Sequence, residues 1–515
     1  MKIAVVGAGS SGLVTLKYLL ETYPPSNVVC FEKGHSVRGC WGDQRADFVS
    51  TSTKYTTQFS CFRKWQAEVD AQRTFEEFYR GAEFGDYLDA FADHFTLKEN
   101  IRFGTALQRL ERVGDTWQLH LLQDGREITQ AFGAVFLCTG LVNQKVALES
   151  PHVPVSEDPE AVRNATVVVV GGGESATDIA NYLAKPEHGN TVFLSLRSGV
   201  RVSPRYHPIR GVPSDFLRNR LLLSFSKGVR NWVGEHFVTF RIRFDKLLSA
   251  WFRSHSDKPD EQAKALRKKW DLKLKARAKG RLFNVFHNKS DDFLDAVEEG
   301  RLTIIGPPTD NEWNEYFDFD KSATLRVSPA VLVPSTGYRS CLSELSGGTL
   351  HLKDFYHGCV HAELDKLFLI GFARPIIGNI PSISEMQARY TVGVLSGKHS
   401  LPADVVRKQI EAHRRLREEY NALDTDTVYP VEQFPYCDVL AKEIGTMPSP
   451  DKLGLRTWLK LMLVPASTTH YVDDYFDEEA LERQKVYTPP VLSAIMLLVQ
   501  LLTLPLRYLK QSARS

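Results

Sequence analysis

Ile3-Ala4-Val5-Val6-Gly7-Ala8-Gly9-Ser10-Ser11-Gly12 is an apolar run of strand type that breaks into glycines and then into a helical pattern. In such a stretch the chain turns tightly at Gly7, Gly9 lets the backbone approach a pyrophosphate, and Gly12 lets the next helix pack hard on the strand. That helix carries Leu13, Leu16, Leu19 and Leu20 on one side. Its first turn, with Ser10 and Ser11, aims N–H groups and the positive dipole end at the phosphates. A second strand, Val28 to Phe31, ends in Glu32-Lys33, with Glu32 twenty positions after Gly12. A carboxylate there accepts from the ribose hydroxyls of FAD or NAD and repels a 2′-phosphate.

The pattern recurs one domain later. The run 167–170 leads into Gly171-Gly172-Gly173-Glu174-Ser175-Ala176, then a helix, then the strand Thr191 to Ser195. This strand ends not in an acid but in Leu196-Arg197-Ser198. A guanidinium suits a phosphate and stands unpaired opposite a bare ribose hydroxyl. The first loop therefore reads as an FAD site and the second as an NADPH site. Two dinucleotides held in one chain imply that electrons pass between them. The bland alternatives are a ligand-free glycine turn and a solvated Arg197. The register of strand, loop, helix, strand and reading residue weighs against both.

Composition sets the frame. With 515 residues, 43% hydrophobic and 24% charged, the chain has length for two or three globular domains. A net charge of +2 selects no partner class. The seven cysteines are scattered with no C-x-x-C pair, which argues for a reducing compartment and against a disulfide framework, structural zinc or a redox dithiol. His357 and His361 are the one close histidine pair, without an H-E-x-x-H pattern, so no metal is expected. Met1-Lys2 runs directly into the first strand, leaving no room for a cleavable leader.

The expected fold class is α/β, with two Rossmann-like dinucleotide-binding domains, a basic helical insertion and an apolar C-terminal tail. Residues 1–150 read as the first part of an FAD-binding domain. In it Gly39-Cys40-Trp41 offers a tight glycine segment with an aromatic to lie along a flavin, and Ser52 and Thr53 offer hydroxyls. A helix is expected over 74–95 and a β-meander over 101–132, followed by a buried strand ending in Thr139-Gly140. Residues 160–325 read as an NADPH-binding domain interrupted at about 205–286. Residues 326–440 read as the return to the FAD domain, with a strand ending in Thr336-Gly337 and a later helix carrying Gln387. Residues 441–515 form an extension whose apolar tail spans 491–506.

Within the insertion, Arg241 to Arg281 holds fourteen Lys or Arg against five Asp or Glu, and Trp232, Phe237, Phe240, Phe244, Leu247, Leu248, Trp251 and Phe252 punctuate its first half. Basic residues mixed with large apolar ones suit an anionic membrane surface; a helical cover for the substrate cleft explains the same pattern. No recognition module points to nucleic acid. The sixteen-residue tail is short for a span and suits an interfacial anchor; a C-terminal helix docked on the body is the alternative.

With these residues in hand, the chain resembles the flavin-containing monooxygenases over about residues 1–475. The likeness rests on the two glycine loops, Phe31-Glu32-Lys33 leading into Gly39-Cys40-Trp41, and Ser52-Thr53-Lys54. It also rests on Ser195-Leu196-Arg197-Ser198-Gly199, Ser335-Thr336-Gly337-Tyr338, and Ile380-Pro381 through Gln387-Ala388-Arg389-Tyr390. The resemblance implies FAD reduced by NADPH, and an oxygen atom from O2 passed by a C4a-hydroperoxyflavin to nitrogen or sulfur of a lipophilic small molecule. Baeyer–Villiger or N-hydroxylating oxygenation, or NADPH oxidation without oxygenation, are the runner-up activities. It implies, too, the cytoplasmic side of an intracellular membrane (endoplasmic reticulum in a eukaryote), otherwise the cytoplasm. Thr51 stands where the family carries an asparagine against the flavin edge and bound NADP, so the catalytic contact is carried over to Thr51. A threonine lacks the amide's paired donor and acceptor. Arg38 replaces a usual glycine, and the family's histidine-bearing motif before the second loop is shortened to 148–156, with His152 its one remnant.

Overall fold

The computed structural model describes residues 1–512 except 43, 65–76, 143, 208–211, 245–260, 291, 473–475, 477 and 485; for 261–267, 479, 480, 483 and 503–512 it describes backbone only. The chain divides into two compact units. One gathers Met1–Leu141, Asp215–Arg230 and Ser340–Ser515; the other gathers Val142–Ser214 and Asn231–Arg339.

The first unit is built on a seven-stranded sheet. Its order is Phe355–Tyr356, Val360–His361, Leu367–Leu369, Ala134–Leu137, Ile3–Val6, Val28–Phe31, Ile101–Arg102. The five strands from Leu367–Leu369 onward run parallel. Ile3–Val6 lies at the centre and is buried along its whole length, which is why it reads as a continuous apolar run rather than an alternating one. Helix Ser10–Thr22 packs on one face with helix Ile380–Leu395, burying Leu13, Leu16, Leu19, Ile383 and Met386. The other face is closed by the antiparallel sheet Thr105–Val113, Thr116–Gln123, Arg126–Phe132, through Trp117, Leu119 and Leu121.

The second unit carries a six-stranded sheet in the order Thr324–Arg326, Glu315–Asp318, Leu302–Pro308, Thr191–Ser195, Thr166–Val170, Val331–Pro334. Its centre is parallel and its outer pair antiparallel. Val331–Pro334, expected in the segment returning to the first domain, is an edge strand of this second sheet. The return begins at Ser340.

Two further expectations shift. Residues 74–76 of the helix expected over 74–95 lie outside the described residues. Phe78–Arg80 is a strand paired with Val49–Thr53, and the helix itself is Glu83–His94. Gly81 at φ +47° separates the two, a conformation that suits glycine and ends helical periodicity. The expected insertion is not one body: Asp215–Arg230 belongs to the first unit, whereas helix Glu261–Arg277 lies in the second. Leu247, Leu248, Trp251 and Phe252 lie outside the described residues.

Candidate active site in two nucleotide loops

In the first unit the Gly7 turn is forced by its surroundings. Gly7 has φ +98°, and its N–H donates to the Phe31 carbonyl at 2.8 Å. A Cβ on Gly12 would stand 1.8 Å from the Gly7 carbonyl oxygen. The helix therefore meets the strand end at a distance that no larger residue permits. Gly9 is the backbone residue at the helix start, and Gly39 crosses it so closely that a Cβ on Gly39 would lie 3.1 Å from the Gly9 Cα. This crossing brings the Gly39–Trp41 turn to the loop. Trp41 packs edge-on against Phe84 at 4.9 Å. Thr139 flanks Gly7 from the neighbouring strand end, with Gly140 next to it at φ +77°.

Glu32 is buried, and both its oxygens bind backbone. Oε2 accepts from Ala8 N–H at 2.7 Å and Oε1 from Gly34 N–H at 2.8 Å. A carboxylate has about four acceptor positions, so ribose hydroxyls fit beside these bonds. Lys33 points to solvent. Behind the loop, burial holds the Cys138 thiol up at about 12 and the Cys30 thiol well above its ordinary value. Both stay protonated near neutrality and offer no thiolate.

Ser11 and Gln387 sit differently from a ligand-facing group. The Ser11 hydroxyl meets Ser384 on helix Ile380–Leu395 at 2.9 Å. Gln387 is fully buried; its Oε1 accepts from Gly371 N–H at 2.9 Å and its Nε2 donates to the Tyr436 hydroxyl at 2.8 Å. It holds the turn after strand Leu367–Leu369.

Thr51, Ser52 and Thr53 lie at the end of strand Val49–Thr53. Thr51 and Ser52 are half-buried, and Ser52 Oγ donates to the Gly378 carbonyl at 3.4 Å. Thr53 is fully buried; it caps the short helix Lys54–Thr57, and its N–H donates to Asp215 Oδ2 at 3.1 Å. Asp215 escaped the sequence reading because it lies 162 positions away, inside the expected insertion. Asn379 likewise has no role in the sequence reading: its Oδ1 caps helix Ile380–Leu395 and its Nδ2 donates to the Thr56 carbonyl at 2.7 Å, 323 positions away. Its one sequence signal is an asparagine placed before Ile380-Pro381.

The second unit repeats the loop more loosely. Gly171 adopts φ +147°, and a Cβ there would lie 2.1 Å from the Ser335 carbonyl oxygen, which puts the Ser335-Thr336-Gly337 turn against the loop. Thr336 Oγ1 donates to the Val146 carbonyl. Gly173 has no atom within 4 Å of the Cβ position, and Ala176 is accommodated at full burial. Glu174 Oε1 accepts from Lys289 N–H at 3.3 Å, and Ser175 is exposed. Arg197 is exposed and Ser198 half-buried. Arg197 makes no hydrogen bond or ion pair with the described residues. His152 is exposed.

Both loops thus fit dinucleotides: glycines clear of side chains at the helix starts, an acid beside the first and a free guanidinium beside the second. Known proteins agree. A profile described as flavin-binding monooxygenase-like matches residues 1–272. The chain is 26% identical over 489 residues to flavin-containing monooxygenase 1 of Oryctolagus cuniculus, covering 87% of this chain and 84% of that one. It is 25% identical over 499 residues to a 4-hydroxybenzoate brominase (decarboxylating) of Marinomonas mediterranea, covering 90% and 87%. The fold matches S-allyl-L-cysteine S-oxygenase from Allium sativum with a TM-score of 0.55 at 16% identity, covering 93% and 96%. The chain belongs to the flavin-binding monooxygenase-like family and is a flavin-dependent monooxygenase that uses FAD and NADPH.

Proposed function

We propose that the protein transfers one oxygen atom of O2 to a nucleophilic nitrogen or sulfur of a lipophilic small molecule, the second atom leaving as water at the expense of one NADPH. The observation that carries this reading is the unequal pair of loops: a buried acid at the first and an exposed guanidinium at the second. FAD supplies electron transfer and oxygen activation when bound. The residues proposed to hold it are Gly7, Gly9, Ser10, Gly12, Glu32, Gly39, Trp41, Ser52, Thr53, Thr139 and Gly140. For NADPH they are Gly171, Gly173, Glu174, Ser175, Ala176, Arg197, Ser198, Thr336 and Gly337. Thr51 is proposed to bond the reacting edge. The S-oxygenase named above supports sulfur as an acceptor centre.

The test is a balance of NADPH consumed, sulfoxide or N-oxide formed, and hydrogen peroxide released by purified protein. Product matching NADPH sustains the reading; peroxide alone overturns it. Thr51, one hydroxyl where the family carries an amide, is expected to divert part of the NADPH to peroxide.

We also infer work at the cytoplasmic face of a membrane. Helix Lys227–Arg243 exposes Trp232, Val233, Phe237 and Phe240. Helix Pro490–Ser512 exposes Val491, Ile495, Leu498, Leu501 and Leu502. Among the described residues no helix is long and apolar enough to cross a membrane, so contact with the surface is the mode proposed. Failure to sediment with anionic phospholipid vesicles would remove this part.

A further inference from the structure

The segment Asp215–Arg230 joins the first unit from the middle of the chain and brings three arginines with it. Two bond carboxylates directly, although the buried Nε and Nη2 of Arg220 have no hydrogen-bond partner among the described residues. Arg220 reaches Asp438 at 2.6 Å, and Arg230 forms a two-point bond with Glu432 at 2.7 and 2.6 Å. Arg218 is different. It forms a long ion pair with Asp215 Oδ1, at 4.0 Å, beyond hydrogen-bond reach. Asp215 itself accepts from Thr53 N–H through its other oxygen.

Arg218 lines a small cavity together with Asp215, Gln433, Leu223, Ile377 and Phe434. Gln433 is 1% exposed, and its Oε1 accepts from Asn379 N–H at 3.0 Å. Its Nε2 has no partner among the described residues. A buried amide N–H without an acceptor is costly, and such groups in native proteins call for an occupant. Arg218 and Gln433 thus border, together with the Asp215 carboxylate, one space of about 20 Å³, roughly the room of one water or one carboxylate oxygen. Leu223, Ile377 and Phe434 supply an apolar wall beside it. Asp215, in its lining, is tied to the end of strand Val49–Thr53 by the bond from Thr53 N–H.

We propose that this cavity is a substrate subsite that takes the carboxylate of an otherwise apolar, aromatic or aliphatic acid, with Arg218 and Gln433 Nε2 as the donors. The inference deepens the oxygenase reading and rests on it for the identity of the occupant as substrate. An acid head here anchors one end of the molecule and leaves the nucleophilic centre to be oxygenated on the apolar body.

The probes are 4-(methylthio)benzoate and thioanisole, which share the sulfide and differ in the acid. Binding of each to the full-length FAD-loaded protein is measured by calorimetry, and sulfoxide formation is measured separately. The acid should bind at least about ten-fold more tightly than thioanisole. Arg218→Gln should weaken the acid about ten- to hundred-fold more than it weakens thioanisole, the range for losing a charge-assisted bond. Gln433→Glu keeps an acceptor for Asn379 and turns the donor into a like charge; it should give the same selective loss, and it stands in if the Arg218 variant does not fold.

Equal binding of the two probes by the unaltered protein, or equal weakening of both in the variants, overturns the proposal. So does FAD content that falls in step with acid affinity, which would assign the donors to the cofactor. Selective acid binding without sulfoxide leaves the subsite standing and overturns the oxygenase reading. Sulfoxide from thioanisole with no preference for the acid does the reverse.

Discussion

The two glycine loops share a plan and differ in tightness. In the first, Gly12 presses on Gly7, and Glu32 is tied to Ala8 and Gly34 before any ligand arrives. In the second, Gly173 faces open space, Ala176 fits where the first loop needs glycine, and Arg197 reaches no protein partner among the described residues. The first reading residue therefore already serves the fold, whereas the second has no such structural role among the described residues. A preformed, buried site suits a resident cofactor, and an open site with an unpaired cation suits a cosubstrate that comes and goes.

Substitution at the glycines tests this contrast hardest. Gly12→Ala sets a carbon 1.8 Å from a backbone oxygen, so helix and strand must part. We expect a loss of about 3 kcal/mol or more, or no folded protein, with FAD absent. Gly173→Ala meets nothing within 4 Å at φ −87° and should stay within about 0.5 kcal/mol in urea denaturation. Equal tolerance of the two would end the comparison. Glu32→Ala comes next: two backbone N–H groups lose their acceptor, costing about 2–4 kcal/mol and most of the bound FAD. Denaturant midpoints and flavin absorbance per protein read both effects.

The contrast continues in the first unit's interior, where acid should find a weak point. His470 is 1% exposed, and burial, with the nearby Arg220 charge adding to it, pushes its pKa from 6.5 down to about 3. The folded chain keeps it neutral, whereas the unfolded chain takes up a proton below about 6.5. Its contribution is thus complete above pH 6.5 and is lost as pH falls from there toward 3, at up to about 1.4 kcal/mol per pH unit. Denaturation midpoints of His470→Gln should depend less steeply on pH across that window; an unchanged slope would show that other groups dominate.

Arg197→Ala should move neither fold nor FAD. Removing a charged bond to a phosphate should weaken NADPH about ten- to hundred-fold and leave NADH nearly as before, read from KM values for the two nucleotides. Loss of thermal stability in this variant would show that the guanidinium has a structural role.

Much of this was legible in the chain because it is local. Strand, glycine turn, helix and reading residue fall within about thirty positions, and Glu32 and Arg197 stand at matching strand ends. What was not legible depends on distant partners. Phe78–Arg80 continues an apparent helical pattern but is recruited as a strand by Val49–Thr53. Val331–Pro334 resembles any buried strand, and only pairing with Thr166–Val170 assigns it to the second sheet. Asp215 and Gln433 meet Thr53 and Asn379 across 162 and 54 positions. No periodicity encodes such contacts, because they arise only when helices and loops close over one another.

The smallest expected effect is at Thr51, and it bears on chemistry rather than on stability. Thr51 is half-buried at the end of its strand, so a side chain one atom longer can be housed without opening the core. Thr51→Asn restores an amide with a donor and an acceptor, where threonine presents one hydroxyl. One added hydrogen bond corresponds to about 0.5–1.5 kcal/mol, or two- to ten-fold in the partition between oxygenated product and peroxide. Denaturant midpoint and FAD content should not change. A rise in product per NADPH consumed would mean that Thr51 limits coupling. An unchanged ratio, with the fold intact, would place that control on another group and would shift weight from the first loop's surroundings to the open second site.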